Sequence, residues 1–153
     1  MKLVDIIHPE LICTDLTSSG KTDVLSELGT LLANKIQTVD ANEITKILVE
    51  RERLATTGIG EGVAIPHGKT EGIETIYAAV GISRTGVPFD AIDNDPVHIF
   101  IALLAPLSSS GDHLRALARI SRLLKDPDIR GQLMGVRETE ELFDILIEED
   151  GKV

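Results

Sequence analysis

Residues 97–105 read Val-His-Ile-Phe-Ile-Ala-Leu-Leu-Ala. Apart from His98 the run is apolar at odd and even positions alike, which predicts a central strand covered on both faces. Such a strand needs layers of helix on each side, and the flanking sequence offers them. Upstream, residues 75–84 alternate: Ile76, Ala78, Val80 and Ile82 face one way, Tyr77, Ala79 and Gly81 the other, which predicts a second strand. The connection Thr-Gly-Val-Pro-Phe-Asp-Ala-Ile-Asp-Asn-Asp-Pro (85–96) is rich in turn residues, with a short strand expected around Phe89 to Ala91. Downstream, Ser-Ser-Ser-Gly-Asp (108–112) reads as loop and cap. A helix is expected over 113–125, with Leu114, Leu117, Ala118, Ser121 and Leu124 inward and Arg115, Arg119 and Arg122 on a solvated face. Asp126-Pro127 ends it, and short helices follow at 128–135 and 138–148.

Toward the N-terminus, Val24, Leu25, Leu28, Leu31 and Leu32 place a helix over 21–36, started by Ser19 or Gly20. A second spans 41–54, capped by Asp40 with Glu43 at the capping-box position. Gly58, Gly60 and Gly62 in Thr-Thr-Gly-Ile-Gly-Glu-Gly (56–62) then predict a loop, and Val-Ala-Ile-Pro a strand ending at Pro66. The expectation is one α/β domain over residues 1–153, a sandwich with a mixed parallel and antiparallel sheet of about five strands flanked by helices.

Composition narrows the function. With 42% apolar and 26% charged residues the chain is globular, and with 3% aromatics its core is aliphatic. A net charge of −10 opposes nucleic-acid and anionic-membrane partners and suits a basic one. No apolar run approaches the ~18 residues of a membrane span, and the N-terminus lacks a signal-peptide core, so a cytoplasmic location is expected. The single cysteine, Cys13, excludes an internal disulfide and reads as a half-buried strand residue.

Three residues stand out chemically. Arg51 continues the inward stripe Ile44, Ile47, Leu48 of the second helix, so either an anion waits at that helix end or the guanidinium snorkels or pairs with Glu52 or Glu61. His67 lies between Pro66, which fixes φ, and Gly68, which permits a tight turn or a close approach. A neutral imidazole there can attack phosphorus through one nitrogen while the other donates to a backbone carbonyl. A phosphoryl group so attached carries roughly two negative charges and needs donors, which a glycine-rich loop can supply as N–H groups. His113 falls in a helix's first turn, where the dipole lowers its pKa and leaves a neutral N–H donor. His8 and His98 make weaker cases; His98 reads as a satisfied residue of the central strand.

The segment Glu52 to Gly68, Glu-Arg-Leu-Ala-Thr-Thr-Gly-Ile-Gly-Glu-Gly-Val-Ala-Ile-Pro-His-Gly, resembles the signature of phosphotransferase-system enzyme IIA domains of type 2, the fructose/mannitol family. The likeness extends over nearly the whole chain, including Phe-Asp-Ala-Ile-Asp-Asn-Asp-Pro-Val (89–97), and Thr56 to Lys69 looks most like the nitrogen-regulatory branch. The resemblance implies a phosphohistidine at Nε2 of His67, a supporting His113, an active-site Arg51, and accessory roles for Glu61, Gly60, Gly62, Gly68 and Thr57. It implies a phosphotransferase component that uses neither metal nor other cofactor. Its donor would be HPr or a nitrogen-branch counterpart. Its output would be phosphorylation-dependent binding of regulatory targets, or, alternatively, transfer to a IIB domain during fructose/mannitol-type uptake. A metal hydrolase using His67, His113 and carboxylates is disfavoured because no HExxH or tight ligand cluster is present.

Overall fold

A computed structural model describes residues 1–152. Two short 3-10 turns, Leu3–Asp5 and Pro9–Leu11, lead into β1 (Ile12–Cys13), α1 (Lys21–Ile36) and α2 (Ala41–Leu54). Then come β2 (Gly58–Gly60), β3 (Val63–Ala64), β4 (His67–Thr70), β5 (Tyr77–Val87) and β6 (Val97–Pro106), and finally α3 (Ser110–Leu124), α4 (Pro127–Gly135) and α5 (Thr139–Asp150). The strands form one open mixed sheet of six in the order β1-β5-β6-β3-β2, with β4 also on β6. The β5–β6 pair is antiparallel; β1 on β5, and β3 and β4 on β6, are parallel.

The central strand is where its two-sided apolarity places it. Ile99, Ile101, Leu103 and Ala105 face a core shared with Ala116, Ile120 and Leu123 of α3 and with Ile129, Leu133, Leu142 and Leu146 of α4 and α5. Phe100, Ala102 and Leu104 face the opposite core, with Leu25, Leu28 and Leu32 of α1 and Ile44 and Leu48 of α2. The alternation over β5 sorts the same way, Ala78, Val80 and Ile82 to the first core and Ala79 to the second. Asp40 caps α2 by accepting from the Glu43 N–H at 2.8 Å. Cys13 is half-buried in β1.

Four expectations are corrected. The glycine-rich stretch is a hairpin, β2 antiparallel to β3, because Glu61 (φ 58°) and Gly62 (φ 76°) supply the consecutive positive φ angles of a tight hairpin turn. No strand forms at Phe89 to Ala91. The inward face of α3 is His113, Ala116, Ile120, Leu123 and Leu124, while Leu114 is 65% exposed. Arg119 is not a solvated residue of a basic stripe: its guanidinium pairs with the buried Asp150 carboxylate, whose other oxygen accepts the Leu3 N–H at 2.9 Å.

One strand escapes the sequence pattern and positions everything that follows. Val63 lies opposite Ile99 and His67 opposite Leu103, the same register offset of 36, so β3 and β4 continue one line along β6. Pro66, which has no N–H to give, interrupts that ladder just before His67, while its carbonyl accepts from Leu103 at 2.9 Å.

Candidate functional site

Side chains of parallel neighbours at one register position share a face. His67 and Lys69, opposite Leu103 and Ala105, therefore project toward α3, and Gly68, opposite Leu104, turns toward α2. Gly68 serves a close approach rather than a turn: it has no positive φ, and a Cβ there would lie 2.3 Å from Cγ2 of Ile47. The absence of that one carbon lets α2 settle on the strand beside His67.

His67, Gly68 and Lys69 line an open depression of about 560 Å³ with Ile47, Glu50, Arg51 and Leu54 of α2 and His113 of α3. Arg51, the anomaly of the α2 stripe, thus avoids the core: its Nη1 donates to the Ala55 carbonyl at 3.0 Å and it pairs with neither Glu52 nor Glu61. The His67 and His113 rings are neighbours, centroids 5.3 Å apart and planes inclined by 55°.

The His67 ring is fixed by its own strand. Nδ1 lies 2.8 Å from the Ile65 carbonyl oxygen. A carbonyl only accepts, so Nδ1 carries the hydrogen and Nε2 keeps the lone pair. Burial, then the Arg51 charge, holds the His67 pKa below the ordinary 6.5, against the opposing pull of the Ile65 hydrogen bond and of Glu52, so the ring is neutral at pH 7. Burial, followed by the neighbouring His67, Lys69 and Arg51, pushes His113 down to about 4. His113 is 94% buried, and its Nδ1 has no hydrogen-bond partner among the described residues.

The accessory residues sit elsewhere. Thr57 is buried and donates through N–H and Oγ1 to the two oxygens of Glu52, at 2.9 and 2.6 Å, closing the turn after α2. Lys21 completes that cluster, 3.3 Å from Glu52. Gly60 and Glu61 border a separate groove with Lys125 and Arg130, and Glu61 reaches Arg130 at 3.6 Å. Gly62 lies beside His98, whose Nδ1–H donates to the Ser83 carbonyl at 2.9 Å. No residue of the glycine loop lines the His67 depression, and two of its N–H groups are bonded elsewhere, Gly58 to Thr56 Oγ1 and Glu61 to Asp93. His8 packs near Tyr77, ring centroids 6.4 Å apart. Sequence reasoning missed Lys69, although a two-residue period from His67 would have placed it on the same face.

Among the described residues no three His, Cys, Asp or Glu side chains converge to hold a metal ion, and no helix is long and apolar enough to cross a membrane.

Residues 5–149 match the family model described as "Phosphoenolpyruvate-dependent sugar phosphotransferase system, EIIA 2". A nitrogen regulatory protein of Bradyrhizobium diazoefficiens is 37% identical over 148 residues, 95% of each chain. The fructose-specific EIIABC component of Bacillus subtilis is 32% identical over 150 residues, 98% of this chain and 24% of that longer protein. Among solved structures, the nitrogen regulatory protein IIA-Ntr of Neisseria meningitidis superposes with a TM-score of 0.89 at 33% identity, covering 94% of this chain and 98% of that one.

Proposed function

The chain belongs to the EIIA 2 family of the phosphoenolpyruvate-dependent sugar phosphotransferase system, and from that premise we propose that it is a phosphocarrier that accepts a phosphoryl group on Nε2 of His67. The observation that carries the reading is the Nδ1–H bond to the Ile65 carbonyl, which leaves Nε2 as the nucleophile in a depression lined by Arg51 and His113. The Nε2–P bond forms as the donor's N–P bond breaks. The bonding pair returns to the donor imidazole, which leaves neutral when its second nitrogen carries hydrogen, and His67 keeps the Nδ1 hydrogen. The chain's contribution is position and charge: it holds the ring, and Arg51 and His113 offer donors to the phosphoryl oxygens.

The donor is a phosphohistidine carrier of the HPr type. The output is regulatory, binding that differs between the phosphorylated and free forms. Near full-length correspondence with nitrogen regulatory proteins supports this. The second reading, delivery to a IIB domain in sugar uptake, is favoured by the similarity to a fructose-specific component.

Incubation with a phosphorylated HPr-type carrier is expected to give an acid-labile, base-stable adduct mapped to His67 and absent from His67→Ala. An unlabelled chain, or label that survives the substitution, would refute the proposal. Adding a fructose- or mannitol-type IIB domain separates the outputs: label that stays on His67 fits a regulator, and label that moves on fits transport.

A further inference from the structure

We infer that Lys69 is a further phosphoryl-binding residue, a cation parked on Ser110 in the free protein that moves onto the phosphoryl group of His67. The inference rests on the phosphocarrier reading and extends it to a residue outside the set Arg51, His67 and His113.

Strand geometry is the first support. Lys69 lies two residues after His67 on β4, so both side chains leave the same face, and both line the depression with His113. The second support is where the ammonium rests. Lys69 Nζ donates to Ser110 Oγ at 2.9 Å, and Ser110 opens α3. A helix N-terminus carries partial positive charge and favours anions, so an ammonium placed there faces a repelling field with one hydroxyl to hold it. The first-turn carboxylate of α3, Asp112, is paired with Arg115 rather than with the lysine. The Ser109 hydroxyl donates to the Pro106 carbonyl at 3.0 Å instead of capping the first N–H groups.

The third support is the unmatched polarity of the site. Three groups converge without an anion: the lysine, the Arg51 guanidinium on a single backbone carbonyl, and the His113 ring with a bare, buried Nδ1. Glu50, the acid on the rim, is bonded to none of them. A dianion on His67 Nε2 supplies what is missing. The lysine's flexible four-carbon stem lets Nζ exchange a neutral hydroxyl for a charged oxygen, which makes a stronger, charge-assisted bond.

The test uses the full chain, a phosphorylated HPr-type donor and three variants. Lys69→Met keeps the length and removes the charge. It should lower kcat/KM for phosphoryl acceptance about tenfold to a hundredfold, the range of one charge-assisted contact, and shift the transfer equilibrium toward the donor by a comparable factor. Lys69→Arg should stay within about threefold of the parent, because the charge is kept. Ser110→Ala frees the lysine and should not slow acceptance. On the unsubstituted protein, side-chain NMR should show the Lys69 ammonium resonance moving more than that of any other lysine on phosphorylation.

Acceptance and equilibrium unchanged in Lys69→Met would overturn the inference, as would a Lys69→Arg protein as impaired as Lys69→Met or an unmoved Lys69 resonance. Each of these leaves His67 labelled and the phosphocarrier reading intact. Absence of label on His67 in the parent protein would instead remove the reading on which the inference stands.

Discussion

Adding a single methyl group at residue 68 should disable the site from the side opposite the chemistry. In Gly68→Ala the new Cβ would sit 2.3 Å from Ile47 Cγ2, and ordinary contact begins at about 3.4 Å. Something must yield by roughly 1 Å. The methyl cannot swing clear, because a β-branched side chain in a helix has one strongly preferred χ1. The helix itself must lift. Arg51 lies one turn beyond Ile47, about 6 Å along the axis, and is carried with it. Overpacking of this kind costs about 1–3 kcal/mol, offset by up to about 1 kcal/mol from the stiffer unfolded chain. The net expected loss of stability is therefore about 1–2 kcal/mol. The transfer rate should suffer more, by about ten- to a hundredfold, because Arg51 is displaced from the phosphoryl position. Ile47→Ala deletes Cγ2 and leaves the alanine Cβ of residue 68 facing Ile47 Cβ at 3.7 Å, ordinary contact. The double variant should recover at least about tenfold in rate and show a coupling of about 1 kcal/mol or more. Ile47→Val, which keeps the offending carbon, should rescue nothing. Urea unfolding gives the stability cycle and rapid-quench phosphorylation the rates. Effects additive within about 0.5 kcal/mol, or a Gly68→Ala protein as active as its parent, would show that the approach of α2 does not set the geometry of Arg51.

Further outcomes follow from charge and burial. Because the His67 pKa is held below 6.5, the rate of phosphoryl acceptance should fall on acidification with a midpoint below pH 6.5; a pH profile with its midpoint at or above 6.5 would contradict the buried, Arg51-facing ring. His113 titrates at about 4 when folded and near 6.5 when unfolded, so between those values the unfolded chain binds the extra proton and stability falls on acidification, fully spent near pH 4. That difference is worth at most about 3 kcal/mol, and about half after allowing for the open rim; urea midpoints at pH 7.5 and 4.5 should converge in His113→Gln relative to the parent, and equal acid losses in both would refute the assignment. Glu52→Ala strands the Thr57 N–H and hydroxyl, leaves Lys21 only its exposed partner Asp90 at 3.5 Å, and should cost about 2–3 kcal/mol in urea unfolding, with a looser α2 end and slower transfer. Asp150→Ala leaves Arg119 only the carbonyl of residue 150, at 3.4 Å, and the Leu3 N–H unpaired, and should cost about 3 kcal/mol; a change under about 0.5 kcal/mol would show the latch to be slack.

Much of this molecule is readable from its letters, for identifiable reasons. The apolar run at 97–105 could only be a strand with helices on both faces, and Asp40 marks the start of α2 because its carboxylate answers an orphan N–H. Arg51 was visible as an arginine on an apolar stripe, and His113 as a first-turn residue. What escaped notice was polar or made of glycine. Strand β4 is His-Gly-Lys-Thr, with no apolar alternation to report it; its pairing is set by β6 and by continuity with β3. The hairpin at 58–64 was hidden by glycines that read as loop yet supply its turn.

The misread stripe of α3 carries the sharper lesson. Apolar periodicity selects Leu114 and its row, yet the helix turns His113 inward and leaves Leu114 in solvent. A buried imidazole without a partner is a poor choice for packing, since it gives up hydration and gains no bond. The helix accepts it because Ala116, Ile120, Leu123 and Leu124 on the same face bury fully. Stability gathered along four residues thereby fixes one polar ring against His67, with a bare nitrogen and a depressed pKa. Hydrophobic patterning is blind to such a residue by construction, because it ranks positions by what they gain from burial. Three positions where local preference and the observed placement disagree, His113 on α3, Arg51 on α2 and Gly68 on β4, lie on one 560 Å³ depression. Each disagreement costs the fold something small; together they set the His67 imidazole beside a guanidinium and a second, buried imidazole.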